Sequence, residues 1–177
     1  MTRTAAVVAA LLALACAAPI RTELQDTDLP PKPQKIAVIA LRTDPNLGYG
    51  IPQGAAELVT ARLIAAIRSE TSLRVVAREE SDATLGGAVR RFSEREGTAS
   101  GVRHPASVWF TLELRGSDGR ILWTGTYEET QSALSEDVGS LPRAWERGFR
   151  WVTAADLADY GARMLARELA REVSTWS

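Results

Sequence analysis

Two hydrophobic periods alternate along this chain, and their order predicts its elements. Lys35 opens an unbroken apolar run to Leu41, bounded by proline and polar residues, which predicts a buried central strand over Lys35–Leu41. Thr43–Gly50 is rich in Asp, Pro, Asn and Gly and reads as a loop. Pro52 then suits the first turn of a helix. Leu58, Val59, Leu63, Ala66 and Ile67 share one face of that helix as far as about Glu70. Leu73–Ala77 reads as a short strand. In Ser81–Phe92, Ala83, Leu85, Gly87 and Val89 alternate, which predicts another, and the Gly86–Gly87 pair inside it predicts a bulge or a close backbone approach.

Residues 94–105, with Gly97, Gly101 and Pro105, read as a loop. Val108, Phe110, Leu112 and Leu114 alternate with Trp109, Thr111, Glu113 and Arg115, the mark of a half-buried strand. Ser117-Asp118-Gly119 is a hairpin turn signal. Ile121–Thr130 is the return strand, with Ile121, Trp123 and Tyr127 on one face. Residues 131–152 read as mostly irregular, with room for a short helix from Ser140. Thr153-Ala154-Ala155-Asp156 resembles a capping box. The helix behind it carries Ala158, Ala162, Leu165, Leu169, Val173 and Trp176 as an apolar stripe. Asp156 and Asp159 near its start, and Arg163, Arg167 and Arg171 further on, suit its dipole. The expected fold is α/β (α+β): a single domain over 35–177, with one mixed sheet of about five strands covered by two main helices.

The amino-terminal pattern differs in kind. Arg3 precedes an unbroken apolar run, Ala5–Ala15, and small residues lead into Cys16. A charged start, a short apolar stretch and a small-residue cleavage point read as an export signal over residues 1–15. The run is shorter than the about 20 residues a bilayer span requires. Residues 16–34 read as a tether, polar at first and then Pro30-Pro31-Lys32-Pro33, extended and semi-rigid. Cys16 is the only cysteine, so no intramolecular disulfide can form and the domain depends on its core. The formal net charge is −1, which argues against nucleic acid, whose binders carry a basic excess.

The sequence offers little catalytic chemistry. His104, the one histidine, precedes Pro105 in a loop, with no marked orienting partner or nucleophile. One cysteine, one histidine and scattered carboxylates lack metal-ligand spacing. Gly48–Gly54 sits where a phosphate loop would, but lacks the lysine-serine ending and reads as a helix lead-in. Glu79-Glu80 and Glu128-Glu129 read as solvated surface. No cofactor and no metal are expected. Residues 141–151 stand out: Leu141, Trp145 and Phe149 recur every four residues, interleaved with Arg143, Arg147 and Arg150 and closed by Trp151. Aromatic and arginine residues together favour binding hot spots and phosphate recognition. Arg143, Trp145, Arg147, Phe149, Arg150 and Trp151 are therefore the candidate binding residues, against the alternative that the apolar three cap an exposed part of the core.

Ala13-Leu14-Ala15-Cys16 resembles the lipobox of bacterial lipoproteins, in which the cysteine is acylated, for instance with palmitate, and becomes the first mature residue. Asp82-Ala83-Thr84-Leu85-Gly86-Gly87-Ala88-Val89 is similar to a strand of the lipopolysaccharide-assembly lipoprotein LptE, and Gly119-Arg120-Ile121-Leu122-Trp123 to the return strand that follows it there. The activator LpoB, the secretion lipoprotein CsgG and the amino-terminal domain of TolB share these patterns. The resemblance implies a non-enzymatic envelope assembly factor, lipidated at Cys16, with a β-barrel or lipopolysaccharide as partner. Ala17 after the cysteine implies the outer membrane, facing the periplasm. It also leaves a second reading, a regulator of peptidoglycan synthesis with a cell-wall synthase as partner. An envelope hydrolase with an unrecognised site is a third reading.

Overall fold

A computed structural model of the chain describes residues 20–24, 31–44, 50–98, 101–131 and 152–176. Among the described residues nine strands and two α-helices follow in the order β1 (Ile20–Leu24), β2 (Lys35–Val38), β3 (Arg42–Thr43), α1 (Ala55–Glu70), β4 (Arg74–Val75), β5 (Ala83–Ser93), β6 (Glu96–Thr98), β7 (Gly101–His104), β8 (Ser107–Gly116), β9 (Ile121–Thr130) and α2 (Ala154–Ser174). Seven strands form one mixed sheet in the order β1-β9-β8-β5-β2-β4, with β3 beside β5. The expected α+β architecture holds, with more strands than expected.

The sheet is antiparallel where hairpins build it and parallel where α1 crosses over. β5, β8 and β9 are antiparallel neighbours; β2 and β3 both run parallel to β5, and β4 runs parallel to β2. The alternation read in the sequence sets the register: Leu85 faces Leu114, Val89 faces Phe110, Leu114 faces Trp123 and Phe110 faces Tyr127. These side chains meet Val59, Leu63 and Ile67 of α1 and Leu157, Leu165 and Leu169 of α2 in one core. The apolar stripe expected on the last helix is buried throughout, Ala158 to Trp176. Its capping box is complete: the Thr153 hydroxyl accepts from the Asp156 N–H and the Asp156 carboxylate from the Thr153 N–H.

Three glycines admit close approaches that any side chain would block. A Cβ at Gly87 would overlap the Thr111 carbonyl oxygen, one at Gly125 the Trp123 indole, and one at Gly161 the Tyr127 ring. The close approach read from Gly86–Gly87 is therefore real, whereas the bulge in β5 lies further on, between Val89 and Arg91.

The structure corrects several boundaries. The run Lys35–Leu41 is not one strand. It breaks after Val38, because Leu41 turns into the core, its N–H donating to the Thr60 hydroxyl of α1. Pro52 lies before α1, whose amino end is set by Gly54 in the left-handed region at φ 86°. The second strand shrinks to Arg74–Val75. Residues 94–105 contain the β6–β7 hairpin, so His104 lies on a strand and is exposed. Ile20–Leu24, assigned to the tether, is an edge strand: Ile20 pairs with Tyr127 and Leu24 with Trp123. It alternates only weakly and stands beside a polar segment, so periodicity could not reveal it.

Candidate functional site

The strands that bury Leu85, Val89, Phe110, Leu112 and Leu114 on one face present Thr84, Gly86, Ala88, Arg90, Trp109, Thr111, Glu113 and Arg115 on the other. Both helices pack on the first face. The second carries a groove of about 900 Å³. Its floor is small: Thr84, Gly86 and Ala88 of β5 beside Thr111 of β8. The kink between β2 and β3 forms one wall, where Ile39 stands 39% exposed above Gly86.

Guanidinium groups stand at both ends of the groove. At one end Arg90 Nη1 lies 3.5 Å from Asp44 Oδ2, and Arg42 enters from β3. At the other, Arg115 donates through Nε to Glu113 Oε2 at 3.1 Å and through Nη1 to the Gly119 carbonyl at 3.2 Å, and Arg78 enters from the 3₁₀ turn Arg78–Glu80. Among the described residues, neither Arg42 nor Arg78 has an ion-pair or hydrogen-bond partner in its side chain.

The bulge in β5 gives this end of the sheet its aromatic centre. In a regular strand Arg90 and Arg91 would point to opposite faces. Here both guanidinium groups lie over Trp109, at 5.4 and 5.7 Å from the ring centroid. Arg91 also approaches Glu128 at 3.5 Å. Trp109 Nε1 and Arg90 Nε are buried without a hydrogen-bond partner among the described residues. Guanidinium groups, an indole and threonine hydroxyls suit recognition of anions and flat polar surfaces.

Cys16 and the segment from Arg143 to Trp151, with Trp145, Arg147, Phe149 and Arg150, lie outside the described residues. The described residues on either side of that segment, Gln131 and Val152, meet. Gln131 N–H donates to the Ala106 carbonyl, and the Gln131 side chain meets the backbone of Val152. Glu128 and Glu129 are not a solvated pair. They face opposite sides of β9, and Glu129 accepts from the buried Tyr127 hydroxyl at 2.7 Å. Among the described residues no three His, Cys, Asp or Glu side chains gather as a metal-binding group. No described helix is long and apolar enough to cross a membrane.

The groove was hard to see in the sequence. Its polar alternation in β8 is legible as Trp109, Thr111, Glu113 and Arg115, and Arg90-Arg91 is conspicuous. Arg42 and Arg78 come from a two-residue strand and a short turn, which carry no periodic signal.

No protein-family model matches the chain, and no curated protein is significantly similar to it. Among solved structures it is similar to the PelC dodecamer from Paraburkholderia phytofirmans, with 16% identity over 85% of this chain and 96% of that one, and a TM-score of 0.57. A point variant of the same protein in a second crystal form gives 17% identity over 85% and 95%, with the same TM-score of 0.57. The protein XCC0632 from Xanthomonas campestris shares 15% identity over 86% and 91%, at a TM-score of 0.49. The PelC likeness establishes a shared fold.

Proposed function

We propose that this chain is a lipid-anchored envelope protein, held through Cys16 at the periplasmic face of the outer membrane, that binds and assembles rather than catalyses. The observation that carries this reading is where the sheet begins. Ile20 is paired with Tyr127 in the folded domain, four residues after Cys16 in the sequence. Four residues reach at most roughly 14 Å. A lipid on Cys16 therefore holds the Ile20–Tyr127 end of the sheet close to the membrane, in place of a domain standing off on a long tether. The proline-rich residues 30–33 then become the connection between β1 and β2.

The groove supports a binding role, because it offers guanidinium and hydroxyl groups. Its finer reading is assembly of a β-barrel or of lipopolysaccharide, as the LptE-like strand patterns imply. Asp82–Val89 and Gly119–Trp123 lie on β5 and at the start of β9, strands that build the face bearing the groove. PelC, which shares the fold, is a dodecamer, so self-assembly of this chain belongs to the same reading.

Separation of inner and outer membranes on a density gradient tests the proposal. Wild type should band with the outer membrane, and Cys16→Ser should leave the membrane fractions and fail to complement a deletion. A Cys16→Ser variant that stays in the outer membrane and complements fully would overturn it.

A further inference from the structure

We infer that the groove on the open sheet face binds an elongated anion, two phosphate groups joined by a neutral spacer. The groove is lined by four guanidinium groups, Arg42, Arg78, Arg90 and Arg115, against two carboxylates, Asp44 and Glu113. That leaves an excess of two positive charges in one groove of a chain whose formal net charge is −1. The excess is divided between two poles. Arg115 stands opposite Thr84 in the register of β5 and β8, with Arg78 beside it in the lining. Arg42 stands opposite Ala88 in the register of β3 and β5, with Arg90 at the same end. Thr84 and Ala88 are four residues apart on one strand, roughly 13 Å at the usual rise.

Each pole has the same composition. One arginine is engaged within the protein, Arg90 with Asp44 and Arg115 with Glu113. The other, Arg42 or Arg78, has no partner among the described residues. A free guanidinium beside an anchored one can present several N–H donors to a single tetrahedral anion. Phosphate is favoured over carboxylate because it brings up to two charges and three acceptor oxygens to arginines that stay open to water. Between the poles Gly86 and Ala88 form the floor and Ile39 the wall, and the carboxylate there, Glu113 opposite Gly86, is neutralised by Arg115. That stretch accepts a neutral, partly apolar spacer. This inference does not depend on lipidation at Cys16.

Calorimetric titration of the full chain in detergent tests it, with a decane chain bearing a phosphonate at each end as the probe. Inorganic phosphate and the matching dicarboxylate serve as comparisons. The bisphosphonate should bind at least about tenfold more tightly than either, and the difference should shrink in high salt. Arg42→Gln with Arg78→Gln should weaken it by about tenfold or more with an unchanged melting temperature. Gly86→Val tests the groove by shape. A Cβ there meets only Ile39 Cβ, at 3.6 Å, so valine fits the strand yet fills the groove. It should abolish binding while the protein stays folded. Vesicles doped with a bisphosphorylated diglucosamine lipid separate the sources: displacement of the probe assigns the anion to a lipid headgroup, and no displacement to a soluble ligand. Equal affinity for phosphate, dicarboxylate and bisphosphonate would overturn the inference. So would bisphosphonate binding that survives both the arginine pair and Gly86→Val.

Discussion

Gly161 of α2 lies against the ring of Tyr127 of β9, so closely that a Cβ built at 161 would overlap Cδ1, Cε1 and Cγ of the tyrosine. The contact sets how near the second helix sits to the sheet. It also keeps Tyr127 fully buried, with its hydroxyl bonded to Glu129.

Gly161→Ala should therefore destabilise the protein. In an exposed helix the same change gains about 1 kcal/mol. Here overpacking against a buried ring should cost about 1–3 kcal/mol instead. Urea unfolding gives the sign, and a gain in stability would show that α2 is free to move off β9.

Trp123 is fully buried, and its ring fills the space that Gly125 leaves open. Trp123→Ala should cost about 3–5 kcal/mol, the range for large aromatic truncations. Trp123→Phe should cost less, because the indole Nε1 has no partner among the described residues and its removal strands nothing. Equal losses for the two variants would mean that the indole N–H is satisfied in solution.

The contrast between Trp123 and Ile20 shows what the sequence could reveal. The β8–β9 hairpin was legible because β8 alternates strictly and Asp118-Gly119 marks the turn, although the register shifts between Leu114 and Arg115, so that Ile121 pairs with Arg115 and leaves the face of Trp123 and Tyr127. The last helix was legible from its stripe and capping box. β1 was not, because three of its five residues are polar and it stands at a sheet edge. The groove failed for a related reason: Arg42 and Arg78 reach it from short, aperiodic segments that only the folded sheet brings together.

Asp82 ties the first inner strand to β5. Its Oδ2 accepts from the N–H groups of Gln34 and Lys35, both at 2.9 Å. Those two backbone bonds, first Gln34 and then Lys35, hold the carboxyl below its ordinary value, with smaller help from the Lys35 and Arg74 charges. The folded state thus holds the ionised form more tightly than the unfolded chain does. Its contribution is present above the unfolded value, about 3.9, and is lost as the pH falls through the depressed folded value. Glu70, beside Arg167, and Asp118, beside Arg120, act in the same sense. Asp82→Asn should flatten the acid limb of the stability curve between about pH 4 and lower values without removing it. Superimposable acid limbs for wild type and variant would place Asp82 in solvent.

His104 is exposed on β7, on the small hairpin outside the main sheet. His104→Ala should leave complementation intact and stability within about 0.5 kcal/mol. Loss of function in a folded His104→Ala protein would reopen the hydrolase reading.

The claim that Cys16 anchors the sheet at a membrane is tested most directly by the intact mass of the protein purified from the membrane fraction. The account predicts a chain beginning at Cys16 and carrying the added mass of its acyl groups, all of it lost in Cys16→Ser. A chain that begins elsewhere, or one that begins at Cys16 without acyl mass, would contradict it.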